Sequence, residues 1–287
     1  MRCTIRTIAA TVFGMACAGL AVAQPVDDKL VVETEDGPLE IVTTAPAPAH
    51  MKDAVDTIWS GWHYREDETR DLQRDDFDNP AMIFADRGLD RWNEEMGKNG
   101  ESCASCHQEP ETMSGLRAVM PRVDANSGKL MIMEDYINGC VTERMGLEPW
   151  GMTSNEMKDM LALISLQSRG QTVNVAIDGP AAPFWEKGKE IYNTRYGQLE
   201  MACVNCHQDH QGQMIRADHL SQGQINGFPT YRLKDAGLVT AQQRFVGCVR
   251  DTRAETFKAG SDEFKALELY VASRGNGLDV EGVSVRH

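Results

Sequence analysis

The sequence predicts an all-α protein in which one helical domain occurs twice in tandem, after an N-terminal extension that has no counterpart in the repeat. The pattern Cys-x-x-Cys-His occurs at Cys103–His107 and again, 100 residues later, at Cys203–His207. Apolar residues around each copy recur at steps of three and four, the spacing of one helix face. Strand-like alternation is confined to Leu30–Val42.

The similarity between the two copies extends beyond the motif. Upstream residues align at the same offset: Gly88, Trp92, Asn93 and Gly97 with Gly188, Tyr192, Asn193 and Gly197. Downstream, Gly-Cys-Val occurs once in each copy, around Cys140 and Cys248. We therefore predict an N-terminal extension at residues 24–76, a first half at 77–173 and a second half at 174–287.

Four helices are predicted from apolar periodicity. One has Ala85, Leu89, Trp92 and Met96 on its face, a second has Met157, Leu161 and Ile164, and a third has Phe264, Leu267 and Val271. The fourth begins near Pro183, because proline suits the first turn of a helix. The segment Gln171–Pro183 contains a glycine and two prolines, which predicts a linker between the halves.

Residues 1–23 have the pattern of an export signal. Arg2 and Arg6 precede the uncharged apolar stretch Ile8–Val22, and small residues follow at the expected cleavage point. An apolar stretch of about 15 residues is shorter than the roughly 20 that a membrane-spanning helix needs. We therefore predict a periplasmic mature protein that begins at Gln24 and has no membrane span.

The mature chain is strongly acidic. The full sequence has a net charge of −14, and removing the two arginines of residues 1–23 makes it −16. Such a chain repels nucleic-acid phosphates, which argues against nucleic-acid binding, and it suits encounters with basic partners.

The repeated motif predicts covalent haem attachment. Two cysteines about one helical turn apart can add to the two vinyl groups of a haem, and the adjacent histidine then binds the iron. Structural zinc or disulfides are the alternative. We predict two haems c, held by Cys103 and Cys106 with His107, and by Cys203 and Cys206 with His207.

The second axial ligand of each iron is a methionine or, as the matching cysteines favour, a thiolate. His210 and His219 are further candidates in the second half, but they have no counterpart in the first half and are expected at the surface. Methionine is the usual partner, and six lie in the right region of the first half: Met113, Met120, Met131, Met133, Met145 and Met152. Cys140 and Cys248 occupy matching places, so thiolate ligation would give each half one anionic ligand and lower its potential. A disulfide between them is the alternative, because unpaired thiols are unusual in exported proteins.

A basic stretch surrounds Cys248. Between Thr230 and Lys258, six basic residues face three acids. Most of them are consistent with an ordinary solvated surface. Arg244 lies four residues before Cys248, which places both on one helix face, and its planar guanidinium suits a small oxyanion. Asp135 and Tyr136 occupy the corresponding turn before Cys140.

With these residues the chain resembles the SoxA family, the dihaem subunits of the SoxAX cytochromes of the bacterial thiosulfate-oxidising Sox pathway. The resemblance covers essentially the whole mature chain. Its marks are Ser60-Gly61-Trp62, Glu68-Thr69-Arg70, Gln73-Arg74-Asp75-Asp76, Asn79-Pro80, both Cys-x-x-Cys-His motifs and both Gly-Cys-Val sites.

The resemblance implies that Cys140 and Cys248 are the distal iron ligands. It also implies that the second haem is the active one, with Cys248 as a persulfide and Arg244 as the substrate-binding arginine. The implied activity is L-cysteine S-thiosulfotransferase, which joins thiosulfate to a cysteine of the SoxY subunit of the SoxYZ carrier. Electrons would pass through haem to SoxX, a cytochrome c subunit in a heterodimer, and then to a downstream cytochrome c.

Three competing functions remain. A dihaem cytochrome that only transfers electrons would use His/Met ligation and need no arginine at the haem. A dihaem thiosulfate dehydrogenase would couple two free thiosulfates to tetrathionate without a carrier protein. A dihaem peroxidase is less favoured, because two cysteine ligands would close the iron position it needs.

Overall fold

The computed structural model describes residues 28–287. The predicted signal peptide at residues 1–23 lies outside them. Helices predominate, as predicted, but five small sheets of two or three short strands are also present. The prediction of an all-α fold is wrong in this respect, because the strands outside Leu30–Val42 have only two or three residues and are too short to show an alternation. No helix among residues 28–287 is long and apolar enough to span a bilayer.

The N-terminal extension begins with a hairpin. Strands β1 (Leu30–Thr34) and β2 (Gly37–Ile41) pair antiparallel within the stretch of predicted alternation. Leu30, Val32 and Ile41 pack with Trp62 in a small core. Strands β3 (Thr44–Pro46) and β4 (Thr57–Trp59) form a second antiparallel pair, and the short helix α1 spans Asp67–Asp71.

The rest of the chain carries the helices. The first half contains α2 (Met82–Asn93), α3 (Cys103–His107), β5 (Arg122–Val123), β6 (Leu130–Met131), α4 (Met133–Gly139) and α5 (Asn155–Leu166). The second half contains α6 (Ala182–Asn193), β7 (Met214–Ile215), β8 (Asp218–His219), β9 (Thr230–Arg232), β10 (Gly237–Val239), α7 (Ala241–Asp251), α8 (Asp262–Ser273) and β11 (Ser284–Arg286). Strand β9 lies between β10, antiparallel to it, and β11, parallel to it.

The N-terminal extension packs on the second half of the chain. The Val42 backbone N–H donates to Asp279 Oδ2 at 3.0 Å, and Gln73 Nε2 donates to Glu281 Oε2 at 2.7 Å. The Trp59 backbone N–H donates to Gln222 Oε1 at 2.9 Å. The extension is therefore fixed against the half that carries Cys248.

The predicted helix faces are confirmed for α5 and α8. Met157, Leu161 and Ile164 are buried on α5, and Phe264, Leu267 and Val271 are buried on α8. The face predicted for α2 is partly wrong: Leu89 is 43% exposed, and Met96 lies beyond the end of the helix. The buried face of α2 passes instead through Phe84, Ala85, Gly88 and Trp92. Pro183 is the second residue of α6.

A glycine occupies the crossing point of each long helix pair. A Cβ on Gly88 would overlap the backbone carbonyl of Asp159, where α2 crosses α5. A Cβ on Gly188 would overlap the carbonyl of Ala266, where α6 crosses α8. Interiors are packed too densely to absorb such an overlap without moving a helix. The aligned glycines of the sequence therefore allow two similar close crossings.

Gly188→Ala should lower the free energy of unfolding by roughly 1–3 kcal/mol, the usual cost of overpacking a core. Gly139→Ala is the matched control, because Gly139 is also helical and no atom lies within 4 Å of an added Cβ. Alanine favours a helix over glycine by about 1 kcal/mol, so the control should be neutral or stabilising. Denaturant unfolding of both variants measures the difference, and equal stabilities would contradict the crossing argument.

Candidate active site and haem-attachment motifs

In each Cys-x-x-Cys-His motif, the side chain of the third residue caps the first turn of the helix. In the first, the Ser102 backbone N–H donates to Ser105 Oγ at 2.9 Å. In the second, the Ala202 backbone N–H donates to Asn205 Oδ1 at 2.9 Å. Both side chains satisfy a backbone donor that the first turn of a helix leaves free. The polar residue before the second cysteine therefore fixes the turn that brings the two thiols together.

The first motif and Cys140 border a single cavity. It contains about 1110 Å³ of free space, part of it continuous with solvent, and its lining includes Cys103, Cys106, His107 and Cys140. Its walls are mainly apolar and include Trp92. Cys140 begins a wider, π-helical turn that continues α4 to Arg144. A large apolar cavity edged by two thiols, an imidazole and a third thiol fits a haem c with His/Cys ligation.

Burial controls the thiols of this cavity. The pKa of Cys103 is raised to about 11, mainly by burial, and charge on Cys140 and on Cys106 contributes to this rise. Burial also raises the pKa of Cys140, whereas the neighbouring Arg144 opposes that rise. The six described cysteines are all free thiols, and Cys140 and Cys248 belong to different sites. The disulfide alternative therefore has no support in this structure.

The cavity also sorts the six candidate methionines. Met113, Met120, Met133 and Met145 line it, whereas Met131 and Met152 are not part of its lining. Met120 and Met133 belong to the buried core of the first half. The structure thus brings Cys140, four of the six candidate methionines and also Met160 to the first motif, so methionine ligation stays open on position alone.

The second motif gathers the corresponding residues of the second half. Burial raises the pKa of Cys203 to about 12, and the next largest contribution is the charge of neighbouring Cys248. Burial likewise raises the pKa of Cys206, with Cys248 adding to the rise and Arg244 opposing it. The three cysteines of the second half therefore lie close to one another, and Cys248 is part of α7.

His207 is prepared to bind a metal through one ring nitrogen. Its Nδ1 lies 2.9 Å from the Ser221 backbone carbonyl, an arrangement that leaves Nε2 as the free acceptor. Burial lowers the pKa of His207 to about 4, which keeps the imidazole neutral. Gly223 has a φ of +83° and packs on the ring, where a Cβ would lie 2.8 Å from His207 Cγ. Of the other two histidines considered as ligands in this half, His210 is exposed, and His219 Nδ1 lies 3.8 Å from Glu66 Oε1.

Arg244 lies one helical turn before Cys248 on α7, as the spacing predicts. Its charge lowers the pKa of His207 and opposes the rise at Cys206, so it faces the second motif. Within residues 28–287, Arg244 forms no ion pair, whereas Arg232 pairs with Asp235 and Arg250 with Asp251. Its guanidinium donors are therefore available to an anion beside Cys248.

Sequence reasoning missed a second arginine at this site. Arg65 comes from the N-terminal extension and donates to the His219 backbone carbonyl at 2.6 Å, beside an ion pair with Asp218. Its pKa is lowered to about 9, first by burial and then by other charges that include Arg286, Arg232 and Arg244. Nothing near Arg65 in the sequence signals this position, because only the packing of the extension creates it.

The first cavity also has arginines, although none lies in the helical turn before Cys140, where the sequence was compared with Arg244. Arg144 follows Cys140 by four residues, and it lines the cavity together with Arg122. Arg122 lies over the Tyr136 ring, with its Cζ 5.1 Å from the ring centroid, and Nε donates to Tyr136 Oη at 3.3 Å. The two sites therefore differ in how their arginines are held rather than in whether they have any.

Comparison with known proteins gives the same family throughout. The model described as "SoxA/TsdA, cytochrome c domain" matches residues 87–173 and 187–280. The chain is 77% identical to the L-cysteine S-thiosulfotransferase subunit SoxA of Paracoccus pantotrophus, over 98% of this chain and 97% of that protein. It is 53% identical to the subunit of the same name from Rhodovulum sulfidophilum, over 97% and 96%.

A solved structure has the same fold. The crystal structure of SoxXA from P. pantotrophus contains a chain that superposes with a TM-score of 0.91 at 78% identity, and the match covers 92% of this chain and 100% of that chain. These findings confirm the resemblance drawn from the motifs, and the cytochrome c domain implies haem c. The chain therefore belongs to the SoxA/TsdA cytochrome c family, and within it to the SoxA subunits of L-cysteine S-thiosulfotransferase.

Proposed function

We propose that this chain is the catalytic dihaem subunit of a periplasmic thiosulfotransferase that joins thiosulfate to a cysteine of the SoxY subunit of the SoxYZ carrier. Its heterodimer partner is a SoxX-like cytochrome c. The observation that carries the proposal is the position of Arg244, which has no ion pair among the described residues and faces Cys206 and His207 one helical turn before Cys248. The names of its relatives supply the reaction class.

Two haems c are assigned to two tandem cytochrome domains, at residues 77–173 and 174–287. Cys103 and Cys106 would attach the first, with His107 and Cys140 as axial ligands, and the first cavity supports this set. Cys203 and Cys206 would attach the second, and His207 and Cys248 would bind its iron; the effect of charge on Cys248 on the pKa values of Cys203 and Cys206 supports this grouping. When bound, haem c accepts electrons singly and passes them on.

The reaction balances as an oxidative coupling. A sulfur–sulfur bond forms between the carrier cysteine and the outer sulfur of thiosulfate, the thiol proton is released, and two electrons leave. Arg244 would bind the thiosulfate dianion and orient it, because a preorganised guanidinium offers two parallel donors to an oxyanion. The Cys248 sulfur would act beside the bound anion as the nucleophilic centre and would be regenerated in each turnover, so that no sulfur of the enzyme is consumed. The electrons would pass to SoxX and then to a downstream cytochrome c.

Positive charge around the second motif favours this substrate. Arg65 and Arg232 lie close enough to Arg244 that its charge contributes, after burial, to lowering the pKa of each. Such a cluster within a chain of net charge −14 concentrates small anions at one place. The Ser221 backbone carbonyl fixes the orientation of the His207 ring through Nδ1, which leaves Nε2 as the nitrogen that can bind a metal.

The carrier thiol is the sharpest test of the function. The purified native complex is given thiosulfate and an oxidised cytochrome c acceptor, with or without reduced SoxYZ. We expect acceptor reduction only with the carrier, together with a thiosulfonate adduct on the SoxY cysteine by mass spectrometry. The family description also covers TsdA, so thiosulfate dehydrogenase is the second candidate. Equal formation of tetrathionate with and without the carrier would establish the dehydrogenase. If thiosulfate is not oxidised under either condition, the protein is a cytochrome that only transfers electrons.

A further inference from the structure

Two carboxyl groups are buried together between the halves. Glu134 is the second residue of α4 and is 3% exposed, and Glu268 lies on α8 and is 6% exposed. Both line one small cavity with Ser165, which is fully buried and whose hydroxyl has no hydrogen-bond partner among residues 28–287. The pair therefore faces a polar space that already contains one unpaired hydroxyl.

The surrounding charges leave this cluster one proton short of neutrality. Arg117 is buried beside both carboxyl groups, and its guanidinium donates to the backbone carbonyls of Phe228 at 3.2 Å and Ile225 at 2.9 Å. The other charged neighbours cancel, because Lys265 Nζ lies 2.7 Å from Asp135 Oδ1. Two ionised glutamates would then face one arginine. Unbalanced buried charge is costly, so one bound proton is the favourable state.

The two carboxyl groups are unequal, which decides where the proton resides. Glu268 Oε2 accepts from Gln242 Nε2 at 2.6 Å, a bond that favours the ionised form. No side chain in the described part of the protein donates to the Glu134 carboxyl. Burial, followed by the charge of Glu268, raises the pKa of Glu134 to about 8, against weaker opposing effects of a backbone hydrogen bond from its own N–H and of Arg117. Glu134 is therefore the protonated member.

This cluster lies directly behind the first cavity. Met120 and Met133 line both the small cavity of the glutamates and the large cavity that contains Cys103 and Cys140. A single layer of side chains thus separates the two spaces. Charge interactions are strong across so thin an apolar wall, because it screens far less than water does.

We propose that Glu134 and Glu268 form a proton-binding site that serves the first cavity, with one proton held by Glu134 beside ionised Glu268 and its uptake linked to the electron held there. Each electron that enters the first cavity in alkaline solution is then accompanied by one proton, which moves from solvent to Glu134 and forms its O–H bond. A one-electron mediator supplies the electron in a titration. The link rests on the proposed haem at Cys103–His107, but the proton site itself does not.

Infrared spectroscopy of the native protein tests the proton site. A buried protonated carboxyl has a C=O band separate from those of ionised carboxylates, and we expect this band at neutral pH and its loss above about pH 8. Glu134→Gln should remove it, and Glu111→Gln, which changes an exposed acid next to Thr112 in the lining of the first cavity, should not. Glu268→Gln should make the band disappear at a lower pH, because a neighbouring negative charge is removed. Absence of the band from the wild type would overturn the site.

The pH dependence of stability has a definite sign. The pKa of Glu134 is raised from 4.5 to about 8 on folding, so between these values the folded protein binds more protons than the unfolded chain. Stability from this group is therefore complete below pH 4.5 and is lost as the pH rises to about 8. Denaturant unfolding should show this decline in the wild type and a flatter profile in Glu134→Gln. Identical profiles would count against the site.

Spectroelectrochemical titration tests the redox link. The midpoint potential of the first haem should be constant below about pH 8 and fall above it, because the reduced state then takes up a proton. Glu134→Gln should make it independent of pH, and Glu111→Gln should retain the wild-type dependence. A flat wild-type profile would overturn the link even if the infrared band is present. Mass spectrometry of the peptide with Cys103 and Cys106 shows separately whether haem is attached, so failure of the proposed function is recognised independently.

Discussion

Arg244→Ala is expected to lower the rate of thiosulfate conjugation at least about 100-fold, the usual loss for one preorganised charged donor. No attachment cysteine or axial ligand is changed, so both haems should remain attached and low-spin. The expected size of the effect follows from the position of Arg244, which faces the second motif one turn before Cys248 and has no ion-pair partner in the described part of the chain. Steady-state conjugation with purified SoxX and SoxYZ measures the loss.

Three substitutions serve as controls for Arg244. Arg244→Lys should recover only part of the activity, because an ammonium group lacks the planar fork of a guanidinium. Arg250 and Arg253 are exposed, so their alanine variants should lose much less activity, and mainly at low salt. Near wild-type turnover in Arg244→Ala would refute its role in binding the anion. The residues to test would then be Arg65, Arg250, Arg253 and Arg216, the last of which lies in the turn between β7 and β8.

Cys248→Ala should abolish conjugation, whereas Cys140→Ala should leave most of the turnover. Cys248 is the cysteine beside Arg244, and Cys140 lies in the other half, where Arg122 is held against Tyr136. Loss of the Cys248 sulfur would remove both the proposed nucleophile and a proposed iron ligand. Loss of Cys140 would remove a proposed ligand alone.

Electron paramagnetic resonance of the same variants tests the ligand assignment. The wild type should show two low-spin ferric signals of thiolate type, and each cysteine variant should change one signal and its potential. A methionine–iron charge-transfer band at native strength would remove Cys140 or Cys248 from its role, with Met113, Met120, Met133 and Met145 as candidates in the first cavity. Equal loss of turnover in the two variants would contradict the division of function between the halves.

The position of the N-terminal extension gives it a part in the second site. Residues Val42, Trp59 and Gln73 bond to the second half, and Arg65 follows from that packing. A segment without a repeat counterpart therefore contributes a guanidinium to the positive cluster around Arg244. Contacts of the extension with the second half include bonds to Gln211, His219 and Val285, whereas its contact with the first half includes the ion pair of Asp76 with Arg169.

The sequence by itself determined the features that depend on residues within about one helical turn. The two Cys-x-x-Cys-His turns, the caps by Ser105 and Asn205, and the shared face of Arg244 and Cys248 all follow from local spacing. The apolar faces of α5 and α8 were predicted for the same reason, since helix geometry repeats every 3.6 residues. The glycines at 88 and 188 were aligned as part of the repeat, and the structure shows that each one allows a close helix crossing.

Only the tertiary structure decided the features that join distant parts of the chain. Arg65 reaches the second motif through contacts with residues more than 150 positions away, and Glu134 meets Glu268 across the two halves. The exposure of Leu89 and the place of Arg144 on the first cavity were set in the same way. Burial and charge proximity depend on which surfaces pack together, and periodicity within one segment contains no information about the partner surface.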